Sequence, residues 1–224
     1  MSNSGYRPRV AFQGEHGAFS EDAAIKLLGP AIELVPRRTF AELFNSVAEG
    51  RAEYVLAPVE NSLAGAVDAA VDLLHKSSLV IAREVIIKVR QHLIGCQGAR
   101  FEEIQTVESH PVALAQCKRF FADNPQITKI ETDDTAGSVA RVIACGDRKR
   151  AAIAGRRAAA IYGGSIIREN LEDDPENYTR FVLLSRDGEL LARISEPEAV
   201  ANRVRPAGPS AKGAKCESPG QRPG

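Results

Sequence analysis

Tyr54-Val55-Leu56-Ala57-Pro58-Val59-Glu60-Asn61-Ser62-Leu63-Ala64-Gly65-Ala66-Val67 is the stretch that decides the fold class. Val55, Leu56 and Val59 suit a buried strand. Glu60, Asn61 and Ser62 sit where such a strand would stop. Ala66, Ala70, Leu73 and Leu74 recur at helical spacing, which predicts a helix starting near Gly65. In open α/β sheets, ligands collect at strand C-terminal ends, where helix N-termini present free N–H groups to anions. This turn therefore has the chemistry to hold an acidic small molecule, although Asn61 and Ser62 could equally be plain helix caps.

Upstream, the same alternation repeats. Arg9 to Phe12 reads as a first strand and Gly14 to Ser20 as a turn. Ser20 is a fitting N-cap for a helix over Glu21 to Leu28, which Gly29-Pro30 ends. Ile32 to Val35 reads as the second strand. Thr39 and Glu42 form a capping-box pattern opening a helix that stops at Gly50. With Tyr54 to Val59 and a helix over Ala66 to His75, the order is β-α-β-α-β-α. That order is the signature of a parallel sheet with helical crossovers.

Downstream, the alternation breaks. Leu79 to Cys96 is rich in Val and Ile with few turn signals, and reads as extended chain long enough to cross to another sheet. Strands then follow at Gln105 to Glu108, Ile127 to Glu131, Ala151 to Ala154, Ser165 to Arg168 and Tyr178 to Leu184. Helices are expected from Pro111 to Asp123, from Asp134 to Cys145, and from Arg156 to Tyr162. The acidic run Glu172-Asp173-Asp174 reads as a solvated loop. Two α/β units joined by extended segments near 80–95 and 178–185 make a cleft with a hinge. The turns Gly14 to Ser20, Glu60 to Gly65, Ser109-His110 and Asp134-Thr135-Ala136 could face it. Their helix N-termini would suit a ligand with more than one carboxylate.

Bulk properties narrow the function. The 224 residues carry 29 Lys+Arg and 29 Asp+Glu, so net charge favours neither a nucleic acid nor a membrane surface. Met1 to Arg9 has no apolar segment of a secretory signal, and no apolar run approaches a membrane span. Cys96, Cys117, Cys145 and Cys216 lack metal-type spacing and read as free thiols of a reducing compartment, the cytoplasm. The four histidines form no zinc motif. Glu196 to Gly224 is Pro-rich with almost no large apolar residues after Val204, so a disordered tail is expected there.

Several motifs together carry a resemblance. Gly17-Ala18-Phe19-Ser20-Glu21, Glu60-Asn61-Ser62 with Gly65, Ser109-His110-Pro111 with Ala113-Leu114-Ala115-Gln116-Cys117, Asp134-Thr135-Ala136, Ala151-Ala152-Ile153-Ala154 and Asn177-x-Thr179-Arg180-Phe181 resemble the prephenate dehydratase family, in that order. The resemblance spans residues 8–187. It implies a two-lobed α/β fold of the type II periplasmic-binding-protein kind, mostly parallel sheets with helical crossovers, and an active site between the lobes. Lobe one would be about 8–80 plus 180–187, and lobe two about 92–178. Most bacterial members continue into a phenylalanine-binding ACT domain, and the segment after Arg186 is too short and polar for one. Val112 departs from the glutamine of many members. Asp133-Asp134-Thr135-Ala136-Gly137 is closer to plant arogenate enzymes.

The implied reaction is decarboxylative dehydration of prephenate to phenylpyruvate, water and carbon dioxide, with arogenate as the alternative substrate. A non-catalytic sensor of the same fold is the alternative of another class. Loss of carbon dioxide and hydroxide makes the ring aromatic, so the barrier lies in hydroxide leaving, and no metal or cofactor is needed. By resemblance Thr179 stands beside the leaving hydroxyl as a hydrogen-bond donor or proton relay. Glu60 is a candidate acid if burial raises its pKa; bonded to backbone N–H groups it would be disqualified. Asn61, Ser62, Ser109, Gln116, Thr135, Ala136 and Phe181 are candidate substrate contacts. Ser109 and Gln116 would share one helix face, and strand alternation points Thr179 and Phe181 into the cleft. Arg180 would then point away, towards the acidic loop. His110 reads as structural. The family also implies a homodimer.

Overall fold

A computed structural model describes residues 6–187. The tail expected over 196–224, with Cys216, lies outside the described residues. Strand β1 (Arg9–Gln13), helix α1 (Phe19–Leu28), β2 (Glu33–Arg37), α2 (Phe40–Ala48) and β3 (Tyr54–Asn61) follow the expected alternation. β1 lies between β2 and β3 and pairs parallel with both. Thr39 and Glu42 form the full capping box that opens α2. The cap of α1 is Ala18 rather than Ser20, so Ser20 lies inside the first turn.

After β3 the chain departs from expectation. Gly65–Ala66 (β4) folds back antiparallel on Asn61 and Glu60, and α3 (Asp68–Lys76) begins only after this hairpin. The turn forms because Asn61 Oδ1 accepts from the amides of Leu63 (3.1 Å) and Ala64 (2.9 Å). Asparagine side chains commonly close such local turns. Gly65 takes φ +82°, which its missing Cβ permits.

β5 (Val80–Lys88) stays on the first sheet, and the chain crosses at 89–91 into β6 (His92–Gly95). The second sheet is built from β6, β7 (Thr106–Ser109), β8 (Thr128–Glu131), β9 (Arg150–Ala154) and β10 (Ser165–Arg168), in the order β10-β6-β9-β7-β8. The expected helix from Pro111 to Asp123 is two short ones, α4 (Pro111–Ala115) and α5 (Lys118–Asp123), broken at Gln116-Cys117. α6 (Thr135–Cys145) and α7 (Arg156–Tyr162) complete the lobe. β11 (Tyr178–Ser185) returns to the first sheet between β3 and β5, giving the order β2-β1-β3-β11-β5.

Both sheets are mixed rather than mostly parallel. Strands reached through a helix pair parallel, as β7 does with β8 and β9. Strands beside a lobe crossing pair antiparallel, as β11 does with β3 and β5, and β6 with β9. Each sheet buries apolar side chains on both faces. Phe12, Tyr54, Leu56 and Leu183 pack with α1, while Ala11, Val55, Val182 and Leu184 pack with α2 and α3. Leu93, Val107 and Ile153 pack with α4 and α5, while Ile94, Ala152 and Ala154 pack with α6 and α7.

The two crossings are bonded to each other. Val89 N donates to Asn177 O (2.8 Å) and Leu171 N to Gln91 O (2.8 Å). Glu172 is buried rather than solvated, because its carboxylate accepts from Gln91 N at 2.9 Å and pairs with Arg90 at 3.5 Å. Asp173 accepts from the amides of Lys118 (2.7 Å) and Arg119 (2.9 Å) at the start of α5. The acidic run is thus a tie between hinge and second lobe.

Candidate active site

A cleft of about 500 Å3 opens between the lobes. Its walls come from the turn after β1, the hairpin after β3, the crossing at Val89 and Gln91, the starts of α4 and α6, and Thr179 on β11. No lysine or arginine lines it among the described residues, whereas Asp133 and Asp134 do.

The polar centre of the cleft is a directed chain of amides. Asn61 Oδ1 is occupied by two backbone N–H groups, so its Nδ2 must donate. It reaches Asn177 Oδ1 (2.8 Å), Tyr178 O (3.1 Å) and Thr179 Oγ1 (2.9 Å). Asn177 is fully buried, and with its Oδ1 accepting, its Nδ2 donates to Gln116 Oε1 at 2.9 Å. Gln91 Nε2 approaches that same oxygen at 3.4 Å. The backbone amides of Leu63 and Ala64 therefore set the polarity of four side-chain amides. Because Thr179 Oγ1 is an acceptor from Asn61, its own proton stays available to the cleft.

Of the residues singled out from sequence, Asn61, Gln116, Thr135 and Thr179 line the cleft. The others sit elsewhere. Glu60 lacks the burial that an acid role asked for: its side chain is 57 % exposed and pairs with Arg180 at 3.2 Å. Arg180 bridges to Glu84 at 3.4 Å, not to the acidic loop. Phe181 is buried in the core of the first lobe beside α1. Alternation along β11 holds, since its register against β5 is unbroken from Tyr178 to Leu183; Phe181 shares the face of Thr179 but lies two residues further along the strand, under α1. Ser62 ties the hairpin to the hinge, its Oγ donating to Glu176 O (2.9 Å) and accepting from Tyr178 N (2.9 Å). Ser109 is on β7, not on a helix face with Gln116, and its buried hydroxyl donates to Ile153 O at 2.6 Å. Ala136 buries its methyl in the second lobe, with only its amide in the first turn of α6.

Three residues outside the sequence-based site complete this region, of which His110 reads as structural from sequence and does cap a helix. Gln91 and His110 line the cleft, and Asn177 lies behind it as the link between Asn61 and Gln116. His110 also caps α4, accepting from Val112 N at 3.2 Å. Asn177 stood in the motif that carried the resemblance, and a neutral amide amid acidic residues was the available signal.

Where the lobes meet beside the cleft, α7 rests on the start of α1. Arg157 pairs with Asp22 and lies 3.7 Å from buried Glu21, and Tyr162 donates from its hydroxyl to His16 O at 2.8 Å. Glu21 also accepts from Gly17 N at 3.1 Å. A Cβ on Gly17 would lie 2.7 Å from Ala158 Cα, so glycine permits this approach.

A family model for prephenate dehydratase matches residues 10–189. Arogenate dehydratase/prephenate dehydratase 2 of Arabidopsis thaliana is 38% identical over 185 residues, covering 83% of this chain and 48% of its own. Among solved structures, a prephenate dehydratase from Arthrobacter aurescens in complex with L-Phe superposes with TM-score 0.73 at 27% identity, covering 87% of this chain and 62% of that one. GqqA, described as a novel type of quorum quenching acylase, superposes with TM-score 0.72 at 35% identity, covering 80% and 64%. The chain spans about half the length of the curated relatives it matches. With the two-lobed fold and the family match over residues 10–189, the chain belongs to the prephenate dehydratase family.

Proposed function

We propose that the chain catalyses decarboxylative dehydration of prephenate to phenylpyruvate. The observation that carries this is the Thr179 hydroxyl on the cleft wall, an acceptor from Asn61 that leaves its own proton free to donate. As the ring C–O bond breaks, charge collects on the departing oxygen. Thr179 donates a hydrogen bond to it there, where a donor placed in advance stabilises developing charge. The ring carboxylate loses its C–C bond, and that electron pair completes the aromatic ring. The products are carbon dioxide and, once the departing hydroxide is protonated, water. A threonine hydroxyl is too weak an acid to supply that proton outright, so solvent or a relay completes it.

The substrate's carboxylates meet a helix start rather than cations. The first-turn amides of α1, which no side chain caps, border the cleft and favour anions through unpaired N–H groups and the helix dipole, whereas the start of α6 is already met by its own Asp134 carboxylate. Arogenate is the second reading, favoured by the acidic lining of Asp133 and Asp134, which suits an ammonium better than a second full negative charge. The acylase relative suggests amide hydrolysis, but that chemistry needs an activated nucleophile. No histidine or carboxylate is bonded to Thr179 Oγ1 among the described residues.

Turnover of prephenate and arogenate by the wild type, Thr179→Ser and Thr179→Val tests the reading. Thr179→Ser keeps the donor and is expected to retain activity. Thr179→Val keeps the shape and is expected to lose about a hundredfold or more in kcat, the usual cost of losing one such donor. Binding without turnover by the wild type would leave a sensor instead of an enzyme.

A further inference from the structure

Gln91 occupies the first crossing between the lobes. Its backbone is fixed on both sides, N donating to Glu172 Oε2 and O accepting from Leu171 N. The residue is 2% exposed and its side chain lines the cleft. Its Oε1 is buried and has no hydrogen-bond partner among the described residues. Turning the amide over would not help. Gln116 Oε1 is committed as an acceptor by Asn177 Nδ2, so a flipped Gln91 would set two carbonyl oxygens against each other. The wall of the cleft thus carries a residue with a buried acceptor of fixed direction and no donor to meet it among the described residues. Such a group is costly unless something that binds there supplies the donor.

We infer that Gln91 is a specificity-determining residue whose side-chain carbonyl accepts a hydrogen bond from the amino group of arogenate. The inference rests on the dehydratase reading above. Prephenate and arogenate share the ring, the hydroxyl and both carboxylates, and differ where one has a 2-oxo group and the other an ammonium. The oxo group only accepts, so against Gln91 Oε1 it leaves both oxygens unpaired. The ammonium only donates, and a charged donor strengthens the bond. The lining agrees in sign, with Asp133 and Asp134 present and no lysine or arginine among the described residues. The ring hydroxyl is accounted for separately, by Thr179.

The test compares kcat/KM for both substrates in the wild type, Gln91→Leu and Gln91→Glu. Gln91→Leu removes the acceptor and is expected to lower kcat/KM for arogenate about tenfold to a hundredfold, the range for a lost bond to a charged group. Any loss for prephenate, from the contact with Gln116, should be several-fold smaller, since the oxo group gained nothing from Gln91 Oε1, so the ratio of the two kcat/KM values shifts towards prephenate. Gln91→Glu keeps an acceptor and is expected to retain arogenate turnover while prephenate turnover falls. Equal losses for both substrates in Gln91→Leu would assign Gln91 to the shared hydroxyl or to support of Gln116, and overturn the inference. So would no loss for either.

Titration with the product pair L-phenylalanine and phenylpyruvate supplies a readout independent of turnover. Affinity for the amino acid should fall in Gln91→Leu while affinity for the oxo acid holds, and unchanged or parallel affinities would overturn the inference. A wild type that turns over neither substrate yet shows this selective loss would refute the dehydratase reading alone.

Discussion

Asn177 Nδ2 donates to Gln116 Oε1 at 2.9 Å, joining the second lobe crossing to the break between α4 and α5. Asn177 Oδ1 simultaneously accepts from Asn61 Nδ2 at 2.8 Å. One buried amide thereby passes the orientation of the β3 hairpin to the opposite lobe. Asn177→Asp retains the acceptor and replaces the donor with a second carboxylate oxygen, setting it against Gln116 Oε1. We expect kcat for the dehydration to fall about tenfold to a hundredfold, as for loss of a buried polar link. Gln116→Glu keeps an acceptor for Asn177 Nδ2 and should retain more activity than Asn177→Asp. Activity assays of both variants, with circular dichroism to verify folding, check this. Wild-type kcat in folded Asn177→Asp would show that the amide chain does not orient the site.

Gly17 marks where the lobes touch. It has φ +89°, and an added Cβ would stand 2.7 Å from the backbone of Ala158 on α7. Gly50 has φ +67° and open space around it, so it isolates the backbone term. Gly50→Ala should cost about 1 kcal/mol of stability from left-handed strain alone. Gly17→Ala should cost more and also raise KM, because α7 must move away from the cleft edge. Urea unfolding beside steady-state kinetics separates the two effects. Equal stability losses with an unchanged KM would mean that the lobes yield freely at this contact.

How much of this was legible from sequence follows from the range of each cause. The alternation through β3, the capping box at Thr39 and Glu42 and the helix at Arg156 to Tyr162 rest on local patterns, and these were readable. The hairpin after Asn61 was not, because Ala66, Ala70, Leu73 and Leu74 keep helical spacing whether the helix begins at Gly65 or Asp68. Thr179 and Gln116 could be named from motifs, whereas Phe181 keeps the expected face but lies further along β11 under α1, and depth along a strand leaves no mark on its periodicity. Glu60 looked like an acid because it neighbours Asn61, yet its ion pair with Arg180 is set by the strand register 120 positions on. Gln91 carried no signal at all, since an orphaned oxygen exists only once the surrounding amides have been oriented.

The thiols should differ in reactivity. Cys117 is fully buried, and burial, with Asp173 and Glu172 nearby, pushes its pKa up to about 12. The thiolate is the nucleophile, so at pH of about 8 almost none of Cys117 is reactive. Cys145 is exposed. Iodoacetamide at that pH should label Cys145 within minutes and leave Cys117 unmodified until urea unfolds the second lobe, with sites read by peptide mass spectrometry. Rapid labelling of Cys117 in the folded chain would mean that α4 and α5 open readily around it.

His92 supplies a pH dependence of known sign. It is buried on β6, and its Nδ1 accepts from Asn170 N at 3.3 Å. Burial, aided by the positive charge of Arg156, holds its pKa below the ordinary 6.5. The folded chain therefore keeps the ring neutral where the unfolded chain would protonate it. Its contribution is fully present above pH 6.5 and is lost as pH falls through the lower folded value. Stability should thus decline on acidification across that window, with the unfolded state binding the extra proton. His92→Asn retains an acceptor for Asn170 N but does not titrate, and should flatten this part of the curve whatever its absolute stability. Melting temperatures of wild type and variant across the window decide it. Parallel curves would assign the acid sensitivity to carboxylates such as Glu53, whose ion pair with Arg9 loses its stabilisation only at lower pH.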